Sequence, residues 1–444
     1  YIIHLMSEKN KQRLTLSLIC LSTIPFIFFV AKPTSWELTS ANMVGLSAYI
    51  SSVTGFVGLG LLIWMYILGT RSVTGLYFRD LTWTLKIHNW LGKYGVLFVF
   101  LHPFFSAYFF GANWLTYWLK PLIGTELEQH ITFGRIAFIL LLVIWVASAL
   151  VRGRIKYRPW KYIHYLAYVI LPLSLLHTKE LGTSLSNNWA SSYFYSFILL
   201  FCVFSILRLR HVFGFGKLQY KIVSNTRLTP NIYLLTLQGS GYNLNVWKGQ
   251  YVYLQRGIFS EEHPFSVVMS NISKDQIIIA YKVFGKFTEK LANVKPGNYL
   301  LLDGPYGVFT EEIDFDPEKP VVFIAGGIGI TPFVGHIYNR KTKGLSTILF
   351  YASQKRQNAA LSTELKQVLG DNYIEVLSGV NEPATQNSER GHLNYEILTK
   401  YLENDVLGSS YYICGPSKMM KDIRKSLLNA GVNRNDIHLE EFSL

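Results

Sequence analysis

Six long apolar runs fill the first half of the chain, at 14–30, 43–69, 90–110, 132–151, 160–176 and 190–209. At about 1.5 Å per helical residue they are of the length that spans a hydrocarbon layer of about 30 Å. The pattern predicts six membrane helices. Beyond Arg210 the texture changes to short alternating segments such as 233–237, 251–254 and 276–281, broken by Gly, Pro and Asn. That alternation predicts a small antiparallel barrel. From Pro320 on, apolar strands at 321–325, 347–352, 373–377 and 411–414 alternate with helical patterns, which predicts a parallel sheet with crossover helices. The expected fold is a membrane α-helical bundle fused to a barrel and an α/β domain. Its boundaries are a cytoplasmic segment 1–13, a six-helix domain 14–211, a barrel 217–317 and an α/β domain 318–444.

Composition strengthens the membrane reading. Of 444 residues 50% are hydrophobic and 16% charged, where soluble domains carry about a quarter. Disorder is excluded by the same figures. Residues 1–211 hold 18 Lys and Arg against 6 Asp and Glu, a net +12 out of +14. These cations sit between apolar runs instead of clustering on a soluble face, so no nucleic-acid partner is expected. Three precede the first run, three lie in 70–86 and five in 152–161, against single lysines, Lys32, Lys120 and Lys179, in the alternate loops. This bias predicts that both termini are cytoplasmic. Trp36, Trp83, Trp114, Trp118, Trp160 and Trp189 lie near run ends, as interfacial anchors do. The first run follows Lys9, Lys11 and Arg13 without a small-residue cleavage site and reads as a span, not a signal peptide. Residues 1–5 precede Met6. Cys20, Cys202 and Cys414 form no CxxC pair, which argues against disulfides, iron–sulfur clusters and structural zinc.

Four histidines stand inside or at the edges of these runs. His88 and His102 flank the third expected helix, and His164 and His177 flank the fifth. Ionisable groups at membrane depth are costly and usually functional. Both helices run outward in the expected topology, so His88 is level with His164 and His102 with His177. Two stacked imidazole pairs without Cys or carboxylate partners suit haem iron held axially. Four packing histidines are the alternative, and the matched depths weigh toward haem. The spacings of 14 and 13 residues differ in facing, since 13 residues leave an ideal helix about 140° off. Pro172 would kink or rewind that helix and Pro103 free backbone beside His102, the alternative being that both are ordinary membrane-helix prolines. Arg135 either holds haem propionates or snorkels to headgroups.

In the second half, the strand 321–325 runs into Gly326-Gly327-Ile328-Gly329-Ile330-Thr331-Pro332. Glycines there would let the backbone approach a pyrophosphate, with a helix N-terminus supplying donors. A tight turn alone would use the same residues. Cys414-Gly415-Pro416 ends another strand, His263-Pro264-Phe265-Ser266 follows Gly249-Gln250-Tyr251, and Gly285-Lys286-Phe287-Thr288 opens a helix.

The order GQY, HPFS, GKFT, DGPYG (303–307), GGIGITP, CGP and a terminal EEF resembles the ferredoxin-reductase type of FAD and nicotinamide module. Preceded by the histidine quartet, the chain from about Leu14 to Leu444 resembles the NADPH oxidase and ferric reductase superfamily, most closely a prokaryotic NADPH oxidase. The resemblance implies that the barrel binds FAD and the α/β domain NADPH or NADH. It places FAD on His263, Pro264, Phe265 and Ser266, with Ser266 near flavin N5, and the FAD pyrophosphate on Gly285, Lys286, Phe287 and Thr288. It places the nicotinamide nucleotide on Gly326, Gly327, Gly329, Thr331, Pro332, Cys414, Gly415 and Pro416. Phe442 would cover the flavin ring, giving Ser266, Cys414 and Phe442 as the residues at the reacting centre. Ser353 and Arg356 fall where contacts to an NADP 2′-phosphate are expected. Plant-type reductases carry Arg where His263 stands.

A nicotinamide gives two electrons as hydride and haem accepts one, so a flavin must stand between them. The expected function is an NAD(P)H oxidase of the plasma membrane, with FAD and two b-type haems as cofactors, dioxygen as acceptor and superoxide as product. A ferric-chelate reductase, a membrane cytochrome serving a partner protein, and a transporter with a nucleotide-sensing tail are the rivals. The quartet counts against the transporter, and the fused reductase against the redox-subunit reading. No D-x-D-x-D-G calcium loop is present, and the segment before the first span is short, so no regulatory partner is expected.

Overall fold

The computed structural model describes residues 6–33, 36, 39–111, 113, 118–241, 244–270, 275–379, 387–402 and 405–441. Trp114 and Phe442, singled out in the sequence, lie outside them. The chain separates into two compact units, residues 1–210 and 211–444.

In the first unit, four helices among the described residues are long and apolar enough to cross a membrane: Glu8–Phe29, Asn42–Leu68, Glu126–Leu150 and Asn188–Val212. They belong to α1 (Glu8–Phe29), α2 (Ser40–Leu68), α6 (Glu126–Trp145 with a π turn to Leu150) and α9 (Asn188–Val212). After the short α3 (Arg71–Tyr77), the third expected span is helical but irregular. It comprises α4 (Leu81–Trp90), a π turn (Leu91–Gly95) and α5 (Val96–Phe109). The fifth is split into α7 (Tyr157–His164) and α8 (Ala167–Leu181). The interrupted helices are the two that carry the histidine quartet. Tight backbone bonds from Leu166 to Ile163, Tyr168 to Tyr165 and Val169 to Leu166 wind the α7–α8 junction with three-residue spacing. Such turns add about 20° per residue relative to an α-helix. The rewinding expected at Pro172 is thus seen at Tyr165–Leu166, and Pro172 lies within α8.

Packing explains the order of these helices. Phe26 stacks on Phe56 at 5.1 Å, in a core with Ile63, Phe194 and Phe197 that ties α1, α2 and α9 together. Val96, Ala137, Leu141, Ile144 and Ile170 form a second core among α5, α6 and α8. α6 starts at a capping box, where Thr125 and Glu128 satisfy each other's backbone N–H. Lys11 is buried near the start of α1, and its Nζ bonds Glu8 Oε1 at 2.9 Å and the Tyr77 carbonyl at 2.8 Å. Those partners let a cation sit at the foot of an apolar helix.

The second unit opens with a closed antiparallel barrel in the order β1-β2-β5-β4-β3-β6. Its strands are β1 (Leu218–Arg227), β2 (Ile232–Gly239), β3 (Tyr251–Gln255), β4 (Glu262–Ser270), β5 (Gln276–Lys282) and β6 (Tyr299–Tyr306), with α10 (Lys286–Ala292) between the last two. Ile222, Leu235, Leu237, Val252, Leu254, Ile279 and Leu302 fill it, each a member of an alternating inward set. A parallel sheet follows in the order β10-β9-β8-β7-β11-β12. Its strands are β7 (Val321–Gly326), β8 (Thr347–Ser353), β9 (Tyr373–Leu377), β10 (Ser388–Arg390), β11 (Ser410–Cys414) and β12 (Ile437–Glu440). β7, β9 and β11 are buried throughout, as expected of strands covered on both faces. The covering helices are α11 (Val334–Thr342), α12 (Ser362–Leu369), α13 (Tyr395–Leu402) and α14 (Ser417–Asn429). Val268 and Ala280 of the barrel share one core with Phe323, Ile330 and Phe333 of the sheet domain.

Arg340 on α11 is fully buried. Its guanidinium donates to Thr347 Oγ1 at 3.1 Å, the Lys319 carbonyl at 3.0 Å and the Ser346 carbonyl at 2.9 Å. It therefore pins the segment entering β7 to the segment entering β8. Arg340→Met should destabilise this unit by on the order of 3 kcal/mol, because buried carbonyls lose charged donors. Arg340→Lys should rescue little of it, since one ammonium cannot reproduce the fork. Denaturant midpoints of the full chain in detergent check this, and unchanged midpoints would contradict it.

Candidate functional site

Three of the four membrane histidines are held by the same device. His88 Nδ1 donates to the Met65 carbonyl at 2.9 Å, His102 Nδ1 to the Ser51 carbonyl at 2.8 Å, and His177 Nδ1 to the His130 carbonyl at 3.0 Å. Each acceptor lies four residues before a glycine: Gly69, Gly55 and Gly134. A Cβ on those glycines would fall 3.1 Å from His88 Cε1, 2.8 Å from His102 Nδ1 and 2.3 Å from His177 Nδ1. The missing side chain is what lets the ring lie down on the neighbouring helix and reach its carbonyl. Donation from Nδ1 also fixes the tautomer and leaves Nε2 with its lone pair, the arrangement found in metal-ligating histidines.

The rings meet in two pairs. His88 and His164 have centroids 6.0 Å apart, and so do His102 and His177, with interplanar angles of 69° and 80°. Two metal–imidazole bonds of about 2 Å each, together with the ring radii, would separate two axial centroids by about 6 Å. Each pair is thus spaced to hold one metal centre of the haem type. His164 differs from the other three. Its Nδ1 is buried without a hydrogen-bond partner. Its ring lies on Trp160 at 5.1 Å, and Arg152 covers that indole at 4.4 Å. Arg135 Nη1 donates to the Lys120 carbonyl.

On the barrel, β3 and β4 pair so that Tyr251 faces Ser266 and Leu254 faces His263. Ser266 is buried, and its Oγ has no hydrogen-bond partner. A buried hydroxyl of this kind has a donor to offer a ligand. His263 stacks on Phe287 at 4.2 Å and has Glu261 at 3.6 Å. Phe265 stacks on Phe287 at 6.1 Å. The HPFS and GKFT segments are therefore one surface. Gly285 has φ +92°, and Thr288 Oγ1 accepts from the Phe284 N–H at 2.7 Å, which closes the turn into α10.

On the sheet, the expected nucleotide residues gather at the carboxyl ends of the strands, where open parallel sheets bind ligands. β7 and β11 are neighbours, so Gly326 and Gly415 approach through their backbones. A Cβ on Gly329 would lie 2.3 Å from the Cys414 carbonyl, and one on Gly326 2.5 Å from Pro416. Thr331 is buried and donates to the Ile328 carbonyl at 3.0 Å. The sequence placed a helix N-terminus after the Gly326–Pro332 segment. A 3-10 turn, Gly327–Ile330, comes first, and α11 begins at Val334. Cys414 is buried beside Glu440, its partner across β12. Burial, with that carboxylate behind it, pushes the thiol well above its usual range and keeps it neutral.

Beyond β8 and β9 a cavity of about 860 Å³ is lined by Lys355, Arg356, Gln357, Ser362 and Thr363, and by Leu228 and Thr229 from the barrel. Arg356 borders it, but its Nε bonds Glu375 Oε2 at 2.8 Å, and that carboxylate is buried. Ser353 Oγ donates to the Lys355 carbonyl at 3.1 Å. Glu375 went unnoticed in the sequence because it stands in an otherwise apolar strand. Gly55, Gly69 and Gly134 were also missed, although Gly55 and Gly69 carry the same 14-residue spacing as His102 and His88.

Two family models match the chain. Residues 54–175 match the ferric reductase like transmembrane component, and residues 323–425 match the oxidoreductase NAD-binding domain. Among curated proteins, the electron transfer subunit of dihydroorotate dehydrogenase B from Fusobacterium nucleatum is 24% identical over 49% of this chain and 82% of its own length. One component of the Na(+)-translocating NADH-quinone reductase from Methylococcus capsulatus is 28% identical over 36% of this chain and 40% of its own. Among solved structures, the flavohemoglobin of Malassezia yamatoensis aligns with a TM-score of 0.47 and 19% identity, over 73% of this chain and 90% of that one.

The glycine beneath each ring gives a direct test. Gly134→Ala should displace His177 and cost any haem held between it and His102. Gly45→Ala, with open space around it, should cost none. Haem counted per purified chain decides, and full haem in Gly134→Ala would contradict the packing argument.

Proposed function

We propose that this chain, a membrane oxidoreductase of the NADPH oxidase and ferric reductase superfamily by its two matched domains, is a transmembrane NAD(P)H oxidase. It would take electrons from NADPH or NADH on the cytoplasmic side of the plasma membrane and deliver them to dioxygen on the other, giving superoxide. When bound, FAD would convert a hydride pair into single electrons, and two b-type haems would supply one-electron sites across the membrane.

The residues divide this work. His88 with His164, and His102 with His177, would hold the two haems, the carbonyls of Met65, Ser51 and His130 orienting three of the rings. Ser266 offers its hydroxyl to the flavin edge, and His263, Phe265 and Phe287 form the adjoining wall. Gly326, Gly329 and Gly415 keep the strand ends open to a nucleotide backbone. Cys414 presents a neutral thiol at the end of β11. Phe442, outside the described residues, would cover the flavin ring. The observation that carries the proposal is the meeting of both histidine pairs at 6.0 Å. Ferric chelates are the second reading, favoured by the description of the matched membrane family.

Full-length protein in vesicles, given NADPH, FAD and oxygen but neither calcium nor a partner protein, should reduce cytochrome c in a reaction abolished by superoxide dismutase. Reduction insensitive to the dismutase, with equal turnover of ferric chelate under argon, would replace dioxygen by iron. Nucleotide choice is expected to turn on Glu375. Glu375→Gln releases Arg356 and should raise the NADPH to NADH ratio of kcat/KM about fivefold, the size of a partly exposed charge contact. An unchanged ratio would remove Arg356 from phosphate recognition.

A further inference from the structure

The second unit begins with a group of exposed apolar side chains. Phe213 is 56% exposed, Phe215 61%, Ile258 45% and Phe259 77%. They form one patch, since Phe213 and Phe259 meet edge to face at 5.9 Å and Gly214 lies under Ile258. Two segments build it: 213–216, and the tip of the β3–β4 hairpin.

Neither segment is a loose loop. Gln255 is buried, and its Nε2 donates to the Ile258 carbonyl at 2.7 Å and the Ser260 carbonyl at 2.9 Å. Ser260 Oγ accepts from the backbone N–H of Arg256 at 2.9 Å and of Gly257 at 3.1 Å. Gly214 and Gly216, with φ of +90° and +85°, turn the other segment sharply. Lys217 locks the two together, its Nζ bonding Gln255 Oε1 at 2.7 Å and Glu262 Oε1. His211 Nε2 adds contacts of 3.7 Å to Glu262 and 3.5 Å to Asp303. The grouping of His211, Glu262 and Asp303 resembles a cation site, but Lys217 already supplies a positive charge there, so its role is to brace the patch.

Position along the chain says what covers these rings. Phe213 directly follows α9, which ends at Val212 and is apolar and long enough to cross a membrane. Three residues reach at most about 10 Å, comparable with the interfacial layer of roughly 5–7 Å on each side of the hydrocarbon. Phe213 and Phe215 therefore cannot leave the neighbourhood of the bilayer surface, and the bracing holds Ile258 and Phe259 beside them. Arg210 and Arg256 are exposed nearby in sequence and suit anionic headgroups.

We infer that Phe213, Phe215, Ile258 and Phe259 form a rigid foot that inserts into the headgroup layer of the bilayer beside the end of α9. It rests on the membrane reading of α9 and is independent of the electron acceptor.

The test is a nitroxide at Phe259→Cys, with Leu407→Cys as the comparison, in the full chain with Cys20 and Cys202 replaced by alanine. The protein is placed in vesicles of equimolar phosphatidylcholine and phosphatidylglycerol. Leu407 is 61% exposed and lies in the sheet domain. The label at 259 should collide with oxygen several-fold more often than with a water-soluble nickel chelate, and the label at 407 should show the reverse. A label at 259 reached mainly by nickel would place the patch in water. One reached by neither reagent would place it under protein, whether this chain or a second copy. Either result overturns the inference.

Discussion

An imidazole inside a membrane must satisfy one N–H without water, and the rest of the first unit is arranged around that need. An unpartnered buried donor costs on the order of 1–3 kcal/mol, and helix carbonyls are already engaged. The solution here is to share one. Where a glycine leaves a groove in the facing helix, the ring reaches the carbonyl four residues before it. Because the donor is Nδ1, Nε2 is directed away from that helix. The close approach of α2 to α5 and of α6 to α8 follows from the same glycines. His164, without a carbonyl, is held instead by stacking on Trp160.

The second unit solves a different problem. It must hold two flat, charged ligands against apolar cores, and it does so by ending strands in residues that add little bulk. On the barrel this leaves Ser266 buried with a free hydroxyl, and on the sheet it leaves Gly326, Gly329 and Gly415 almost in backbone contact. The shared core of Val268, Ala280, Phe323 and Phe333 makes these two surfaces parts of one body. Arg340 and the Lys217 cluster hold the connecting segments by charge-assisted bonds to buried acceptors.

The strands and their alternation were legible because their periods are short and their ends carry Gly or Pro. The barrel and the parallel sheet stand where the pattern put them. The histidine pairing was legible from depth alone. What could not be read was the irregularity that makes it work, namely the π turn at Leu91–Gly95 and the tight turns at Tyr165–Leu166, since neither has a local sequence signature. Polar residues such as Lys86 and Arg158 lie within these two helices, so a hydropathy window begins them late. The glycines under the rings had a readable spacing, but an apolar helix rich in glycine hides it. The Arg356–Glu375 pair is tertiary, joining β9 to the turn after β8, and no local rule announces it.

The central claim is that each imidazole pair holds one iron through both rings. Electron paramagnetic resonance of the oxidised full chain, loaded with haem and counted against protein, tests it most directly. Two low-spin, six-coordinate haems per chain are predicted, with one lost when His102 or His177 is replaced and the other when His88 or His164 is replaced. High-spin iron, or one haem per fully loaded chain, would contradict the account.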